Sequence, residues 1–264
     1  MKSARKKKGV RLGQHFLTGP WAARKLSEAV CVQPDEKILE IGPGKGALTK
    51  ELLATGSNVV AIEKDEKLVE QLQRTFSEKI RAGKLKVVLE DIRDVTAETL
   101  GLKKYVVAAN IPYYITGEII RQFLEAKVQP RAMALLVQKE VAERIIARNG
   151  KESILSLSVK AYGTPKVVAK VSRGNFSPPP SVDSAILLVD NISKVFFLNV
   201  SEKVFFKVVR AGFASKRKFL ANNLAAVFGK EEARAALALS GMGEKARAED
   251  VPLEKWGKIA QELL

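Results

Sequence analysis

Short apolar runs alternate with longer amphipathic segments between residues 37 and 138. The runs are rich in Val, Ile and Leu and lack strict polar alternation, which is typical of strands buried on both faces of a parallel sheet. The segments near 45–55, 64–82 and 116–127 have helical periodicity. The predicted strands are KILEI (37–41), NVVAIE (58–63), KLKVVLED (84–91), YVVAAN (105–110) and AMALLVQ (132–138).

Two further apolar runs follow, VVAKVSR (167–173) and AILLVD (185–190). They are joined by a loop that contains the proline run 178–180, which favours an antiparallel addition at one end of the sheet. The expected fold class is therefore α/β, a doubly wound Rossmann-like sheet with an antiparallel end strand.

The pattern changes after Asp190, where strand signals stop. Residues 202–213 predict a helix with one broad apolar arc and a basic opposite side. The segment from there to residue 264 is rich in Ala, Leu, Glu and Lys, so we expect a small all-helical domain over 195–264 after a first domain over 1–194. The apolar arc holds Val204, Phe205, Phe206, Val208, Val209 and Phe213, and the basic side holds Lys203, Lys207 and Arg210.

The composition narrows the classes of protein to consider. The chain has 264 residues, 46% of them hydrophobic, with Cys31 and His15 as the only residues of their types. This argues against a disulfide framework and a Cys/His zinc site, and it leaves a Ser–His or Cys–His catalytic pair only if His15 serves. The apolar runs are too short for a membrane helix, and the N-terminal charges precede no apolar stretch. We expect a cytoplasmic monomer without metal or membrane partner.

The net charge of +16 is concentrated in two segments that contain no acid. Together they carry +12 of it, which favours a polyanionic partner such as nucleic acid, contacted at two places. A solvated tail and an ordinary helix face would also explain the charge. The first segment, 1–11, holds Lys2, Arg5, Lys6, Lys7, Lys8 and Arg11; the second, 203–218, holds Lys203, Lys207, Arg210, Lys216, Arg217 and Lys218.

Four successive predicted strands end in a polar residue: Glu40, Glu63, Asp91 and Asn110. Ligands of doubly wound sheets bind at the carboxyl ends of the strands, so these side chains predict a binding crevice. In this crevice Glu63 can accept hydrogen bonds from ribose hydroxyls, and Asp91 can accept from an adenine amine. The alternative is that Glu63 and Asp91 are helix caps, because helical sequence follows both.

A glycine loop follows Glu40, in which Gly42, Gly44 and Gly46 allow a ligand to approach the backbone closely. A glycine loop alone also fits a nicotinamide-binding fold. Its G-x-G-x-G spacing differs, however, from the dinucleotide fingerprint. S-adenosylmethionine has no pyrophosphate to cradle, and it is the cofactor that this loop favours.

The sharpest local motif is Asn110-Ile111-Pro112-Tyr113-Tyr114. An exocyclic adenine amine is a poor nucleophile, and accepting hydrogen bonds from both its N–H groups makes it more reactive. Asn110 offers a side-chain carbonyl and Ile111 a backbone carbonyl, which Pro112 helps to aim. Tyr113 offers a stacking face for an extruded base. The alternative is a strand-ending turn with a packed tyrosine.

Six motifs in order make the chain resemble the ribosomal RNA adenine N6,N6-dimethyltransferases of the small subunit, whose near relatives are the macrolide-resistance methyltransferases of the large subunit. The resemblance runs from about Leu12 to Leu224. The motifs are GQHFL (13–17), EIGPGKGALT (40–49), the acidic strand ends Glu63 and Asp91, NIPYYI (110–115), FSPPPSVDSA (176–185) and FASKRKFLANNL (213–224).

The resemblance implies roles for individual residues. His15 and Leu17 would close over the cofactor, although a lone histidine is most often structural. The pocket would be lined by Gly42, Glu63, Asp91 with the adjoining Ile92, and Asn110. Phe176 would form a wall opposite Tyr113 against the target adenine. The helical domain, which contains Lys216, Arg217 and Lys218, would dock RNA.

The resemblance also implies the reaction: S-adenosylmethionine-dependent dimethylation of N6 on two adjacent adenines near the 3′ end of small-subunit (16S) ribosomal RNA. The partner would be that RNA or the immature small subunit, with a role in its maturation. Three alternatives stay open at this point. They are a non-catalytic ribosome assembly factor, a large-subunit methyltransferase of the macrolide-resistance type, and a DNA adenine methyltransferase.

Overall fold

The computed structural model describes residues 15–263, so the basic segment 1–11 lies outside the described residues. The chain divides into two compact units. The first comprises residues up to Lys139 together with Lys166–Asp190, and the second comprises Glu140–Pro165 and Asn191–Leu264.

The strands and helices follow the predicted alternation. Strands are β1 (Phe16–Leu17), β2 (Lys37–Ile41), β3 (Asn58–Glu63), β4 (Leu85–Leu89), β5 (Tyr105–Ala109), β6 (Met133–Gln138), β7 (Thr164–Val171), β8 (Phe176–Ser177) and β9 (Ser184–Asp190). Helices are α1 (Pro20–Ala29), α2 (Ala47–Ala54), α3 (Glu66–Thr75), α4 (Ser77–Arg81), α5 (Thr116–Glu125), α6 (Lys139–Ile145), α7 (Ile154–Lys160), α8 (Glu202–Gly212), α9 (Leu220–Phe228), α10 (Lys230–Leu239) and α11 (Leu253–Glu262). Short 3₁₀ helices span Ile92–Asp94, Tyr113–Ile115, Arg173–Asn175, Val195–Leu198 and Ala248–Asp250.

Seven strands form one mixed sheet in the order β4-β3-β2-β5-β6-β9-β7. Neighbours from β4 to β6 are parallel, and β9 runs antiparallel to β6. Ile41 is in register with both Ile62 and Ala109, so the carboxyl ends of β2, β3 and β5 lie level at one edge. The predicted α/β fold class, with its antiparallel end strand and helical C-terminal region, is confirmed.

A second, two-stranded sheet was not predicted from the sequence. β1 pairs antiparallel with β8, with Phe16 opposite Ser177 and Leu17 opposite Phe176. The pairing ties the segment after residue 14 to the proline-rich loop. Two residues per strand are too few to give a period-2 pattern, which is why the sequence carries no signal for it.

The core of the first unit lies between the sheet and its helices. Every residue of β5 is buried, in keeping with a central strand that is covered on both faces. Leu26 of α1 and Leu52 of α2 are fully buried in the same cluster as Ile38 and Val106 of the sheet. This packing holds the strand ends, and the polar residues that follow them, in fixed positions.

The second unit has an aromatic core around α8. Phe205 is fully buried, and its ring lies 5.1 Å from that of Phe196. Gly212 brings α8 against Trp256 of α11, since an added Cβ would lie 2.3 Å from that ring. The amphipathic helix predicted over 202–213 is therefore present as α8, one residue shorter than expected.

The division of the chain differs from the expected boundary at residues 194 and 195, because residues 140–165 belong to the second unit. Glu152 N–H donates to the carbonyl of Glu249 at 2.7 Å, and Lys151 forms ion pairs with Glu249 and Asp250. The Tyr162 ring lies 4.9 Å from that of Phe197. These contacts join residues distant in sequence, so helical periodicity alone did not indicate them.

Residues 15–263 contain neither a membrane-spanning helix nor a cluster of metal ligands. No helix in that range is long and apolar enough to cross a bilayer. No group of three or more His, Cys, Asp or Glu side chains in the range is arranged to hold a metal ion.

Candidate active site

A cavity in the first unit opens where the parallel strands of the sheet end. Its walls come from the segment around β1, the glycine loop after β2, and the residues that follow β3, β4 and β5. The predicted site residues that line it are His15, Leu17, Gly42, Gly44, Glu63, Asp91, Ile92, Asn110, Ile111, Pro112 and Tyr113, whereas Gly46 and Phe176 do not.

The glycine loop needs its glycines for close packing as well as for the cavity wall. Gly44 has φ +56°, and an added Cβ would lie 2.9 Å from the ring of Phe16. Gly46 has φ +85° and precedes α2, where an added Cβ would lie 2.6 Å from the ring of Phe76. Gly46 therefore permits packing against Phe76 and, unlike Gly42 and Gly44, does not line the cavity.

Glu63 is held in place by the backbone around it. The side chain is 5% exposed, and its Oε2 accepts from Gly44 N–H at 3.1 Å. Its Oε1 accepts from the N–H groups of Lys64 and Asp65 at 3.0 and 3.1 Å. The cap of α3 is Asp65, so Glu63 is not a helix cap in the usual sense. The carboxylate keeps acceptor capacity and lines the cavity.

Asp91 is fixed by Arg93. Arg93 Nε lies 3.0 Å from Oδ1 and Nη2 lies 2.6 Å from Oδ2, and Arg93 N–H donates to Oδ1 at 3.1 Å. The last contact makes Asp91 the cap of a 3₁₀ helix, while Asp91 also lines the cavity. The Arg93 hydrogen bonds lower the pKa of Asp91 to about 2. Asp91 is therefore an ionised acceptor at neutral pH.

The loop after Asp91 is anchored from α5. Gln122 Nε2 donates to the carbonyls of Ile92 and Val95 at 2.8 and 3.0 Å. Ile92 is buried and lines the cavity.

Asn110 is oriented by the first described residue of the chain. Its Nδ2 donates to the backbone carbonyl of His15 at 3.1 Å. Ile111 and Pro112 follow in the cavity wall, and the Ile111 side chain is buried. Pro112 begins the 3₁₀ turn, with its carbonyl accepting from Ile115 N–H at 3.2 Å.

Tyr113 lines the cavity and is half-buried. Its hydroxyl lies 2.6 Å from the Ser184 hydroxyl, and burial raises its pKa. Its ring stacks loosely on His15, with centroids 5.9 Å apart and planes inclined by 29°. His15 Nδ1 in turn lies 2.7 Å from the carbonyl of Pro178. The tyrosine is therefore held at both its hydroxyl and its ring.

Phe176, which was predicted to lie opposite Tyr113, does not line the cavity. The side chain is 4% exposed and belongs to the hydrophobic cluster under the sheet. It pairs with Leu17, which belongs to the same cluster and also lines the cavity.

Glu40 is a buried carboxyl that the sequence reasoning used only to mark a strand end. It is fully buried, and neither carboxylate oxygen completes a hydrogen bond with a described group. Burial raises the pKa of Glu40 to about 8. The negative charge of Glu63 adds to this upward shift, and the neighbouring Thr49 reduces it. At neutral pH this side chain is therefore mainly protonated.

Several cavity residues were missed by the sequence reasoning. Phe16 has Lys45 Nζ 5.0 Å from its ring centroid, and both line the cavity. Arg93 also lines it, as does Tyr114, whose side chain is 64% exposed. The adjacency of Tyr114 to the predicted Tyr113 was an available signal. The contact of Phe16 with Lys45, 29 residues away, had no signal in the sequence.

The six predicted basic residues of the second unit are all exposed. Lys203, Lys207 and Arg210 lie on α8, while Lys216, Arg217 and Lys218 lie between α8 and α9. Within residues 15–263 none of the six is in an ion pair, and Lys207 Nζ lies 5.0 Å from the Phe228 ring centroid. Asn223 holds the segment that precedes Lys216–Lys218, because its Nδ2 donates to the carbonyls of Gly212 and Ser215 at 2.6 and 3.0 Å.

Solved structures with the same fold include two methyltransferases. The 23S rRNA methyltransferase ErmE is 26% identical with a TM-score of 0.77, covering 94% of this chain and 99% of that one. A dimethyladenosine transferase from Plasmodium falciparum is 23% identical with a TM-score of 0.75, covering 93% and 96%.

Sequence relatives cover nearly the whole chain. A protein named ribosomal RNA small subunit methyltransferase A from Dehalococcoides mccartyi (strain CBDB1) is 41% identical, over 95% of this chain and 87% of that one. One of the same name from Enterococcus faecalis (strain ATCC 700802 / V583) is 36% identical, over 96% and 89%. A family model described as ribosomal RNA adenine dimethylase matches residues 5–264. The chain thus belongs to the ribosomal RNA adenine dimethylase family.

Proposed function

We propose that this protein dimethylates adenine N6 in small-subunit (16S) ribosomal RNA with S-adenosylmethionine as methyl donor. One observation carries the proposal. The acidic residues Glu63 and Asp91, the glycine loop and the Asn110–Tyr113 motif all line one cavity, in a chain that belongs to this family. The named relatives above support the small subunit as substrate. A role in small-subunit maturation and a cytoplasmic location go with that substrate.

The residues present fit S-adenosylmethionine. Glu63 and Asp91 are carboxylates in the cavity wall with acceptor capacity beyond their protein partners. Glu63 suits ribose hydroxyls and Asp91 suits an adenine amine. Gly42 and Gly44 leave room beside them for a ligand to approach the backbone. When bound, this cofactor supplies an activated methyl group.

The chemistry left to the protein is to align the target amine. Asn110 Oδ1 and the Ile111 carbonyl are assigned as acceptors for its two N–H groups. Hydrogen bonds to both N–H groups favour a pyramidal nitrogen, whose lone pair is then available to attack the methyl group. Tyr113 is assigned the stacking face for the base, which must first leave its own stack at a cost of a few kcal/mol. Phe176, being buried, has no assigned contact with the base.

Binding of the RNA is assigned to the exposed basic residues of the second unit, Lys203, Lys207, Arg210 and Lys216–Lys218. Their exposure without ion pairs among the described residues favours phosphate contacts over structural roles. These contacts position the RNA and carry little sequence information. The choice of target adenines would then depend on the shape of the RNA or particle.

The test is methyl transfer from labelled cofactor to two kinds of ribosomal subunit. Small subunits that lack the modification should incorporate label, and digestion should release dimethyladenosine. Large subunits should incorporate none, and the protein should not change macrolide susceptibility in cells. Label in large subunits, or no label with folded protein, would reject the proposal in favour of the resistance-type enzyme or the assembly factor.

A further inference from the structure

His15 contacts both groups that the proposed function assigns to the target base. Its backbone carbonyl accepts from Asn110 Nδ2 at 3.1 Å, and its ring stacks on Tyr113 with centroids 5.9 Å apart. Its Nδ1 lies 2.7 Å from the Pro178 carbonyl. His15, which lines the proposed cofactor pocket, therefore also contacts the two residues proposed to hold the target base, Asn110 and Tyr113.

The chemistry of these contacts fixes two orientations. A backbone carbonyl only accepts hydrogen bonds, so the nitrogen of the Asn110 amide must face His15. The amide oxygen, Oδ1, then points away from His15. If the amide were flipped, two oxygens would face each other at 3.1 Å. The same reasoning applies to Pro178, whose carbonyl requires a hydrogen on His15 Nδ1.

The residues that follow His15 are held in place by their own contacts. Phe16 pairs with Ser177 and packs on Gly44, and Thr18 N–H donates to the Asn175 carbonyl at 2.9 Å. The imidazole adds the bond to Pro178 in the same loop. The hydrogen bond between the imidazole and Pro178 is the contact that holds residue 15 itself, so loss of the ring should let the carbonyl that meets Asn110 move.

We propose that His15 is a positioning residue that aims Asn110 Oδ1 and steadies the Tyr113 ring for the target amine. The inference rests on the proposed function for the roles of Asn110 and Tyr113. It differs from a contact role toward the cofactor, because its main effect falls on turnover of bound substrates. Correct orientation of a reacting group is worth large factors in rate.

Three substitutions separate the contacts of His15. His15→Asn keeps an N–H donor for Pro178 and loses the ring, His15→Phe keeps the ring and loses the donor, and His15→Ala loses both. We expect kcat to fall about 10-fold in His15→Ala and less in the other two, with a smaller change in KM for the cofactor. Lys25→Ala, at an exposed position of α1, is the control. Unchanged kcat with a raised cofactor KM in His15→Ala would overturn the proposal.

A second measurement does not depend on turnover. His15 is the only histidine of the chain, so imidazole ¹⁵N NMR of the full-length protein reports on it without assignment. We expect the Nδ1–H form at pH 8, and we expect the Asn110 side-chain amide signal to shift in His15→Ala but not in Lys25→Ala. An Nε2–H form, or an unshifted Asn110 signal, would overturn the proposal. Because these readouts persist in a protein that transfers no methyl, failure of the positioning role is distinguishable from failure of the proposed function.

Discussion

The cavity of the first unit and the basic surface of the second hold their polar groups in opposite ways. In the cavity, Glu63 accepts three backbone N–H groups, Asp91 is gripped by Arg93, and Asn110 is tied to His15. On the basic surface the side chains of Lys216–Lys218 are exposed, and the contacts of the segment are made by its backbone: Asn223 donates to the carbonyls of Gly212 and Ser215, and Lys218 N–H donates to the carbonyl of Ser215.

The difference follows from the role proposed for each region. Aligning an amine with a methyl donor depends on atomic positions, and Glu63, Asp91 and Asn110 are each fixed by a partner. Attracting a polyanion depends on charge and access, and long exposed side chains meet a flexible phosphate backbone without fixed geometry. Substitutions in the cavity should therefore act on rate and cofactor affinity, and those on the basic surface on RNA affinity.

The largest effect is expected at Asn110. Asn110→Ala removes the side-chain acceptor for the target amine, so methyl transfer should fall by at least about 100-fold. The melting temperature should stay close to the original, because the Asn110 side chain makes only one hydrogen bond within the described residues. Single-turnover transfer from labelled cofactor measures the loss. The control is Asn58→Ala, the same change at the exposed start of β3; near-normal transfer by Asn110→Ala would mean that another group aligns the amine.

The next effect is expected on the basic surface. Replacement of Lys216, Arg217 and Lys218 by Glu should lower RNA affinity about 10- to 100-fold and flatten its dependence on salt, since fewer counterions are released. Cofactor affinity should not change. Filter binding at several salt concentrations and calorimetry with the cofactor measure the two quantities.

A matched control separates local contacts from net charge. Replacement of Lys67, Lys79 and Arg81 by Glu makes the same change in charge at exposed positions on α3 and α4 of the first unit. If both triple variants lose RNA affinity equally, only the overall charge matters and the assigned surface is wrong.

Glu40 is the exception in the cavity region, because it is buried without a completed hydrogen bond. Its pKa of about 8 lies above the ordinary glutamate value of 4.5, so the folded state keeps a proton that the unfolded state releases between these pH values. Stability should therefore fall as pH rises from about 4.5 to 8 and then level off. Glu40→Gln removes this dependence.

We expect Glu40→Gln to stabilise the protein by about 1–2 kcal/mol at pH 8, and by little near pH 5. The gain stays below the full ionisation penalty because the new amide N–H groups also lack an acceptor. Urea unfolding across pH 5–9 measures it, without cofactor present. An equal stability difference at all pH values would show that Glu40 does not titrate in this range.

The sequence was informative where a local pattern determines structure. The runs rich in Val and Ile predicted the strands of the sheet. The polar residues at the ends of these runs predicted that Glu63, Asp91 and Asn110 line one cavity. The burial of Phe176 could not be predicted, because it depends on pairing with Leu17, 159 residues earlier. The placement of residues 140–165 likewise depends on ion pairs such as Lys151 with Glu249. Such contacts leave no trace in periodicity or composition.

The smallest effect is expected at Arg93, which fixes Asp91 without being essential for its charge. Arg93→Gln removes the fork that orients the carboxylate, yet the pKa of Asp91 would only return toward its ordinary value near 4, so Asp91 stays ionised at neutral pH. We expect the cofactor Kd to rise about 3- to 10-fold, equally at pH 6 and pH 8. Calorimetry at both pH values measures this.

Comparison with Arg93→Lys identifies what the arginine contributes. Lysine keeps the positive charge but cannot make two parallel hydrogen bonds, so an orienting role predicts almost the same loss as in Arg93→Gln. Recovery of affinity in Arg93→Lys would mean that charge alone matters at Asp91. Arg121→Gln, at an exposed position on α5 paired with Glu125, is the control. Tighter cofactor binding in Arg93→Gln would reverse the interpretation: Arg93 would then compete with the cofactor for Asp91, and this part of the cavity would not be preorganised as the rest is.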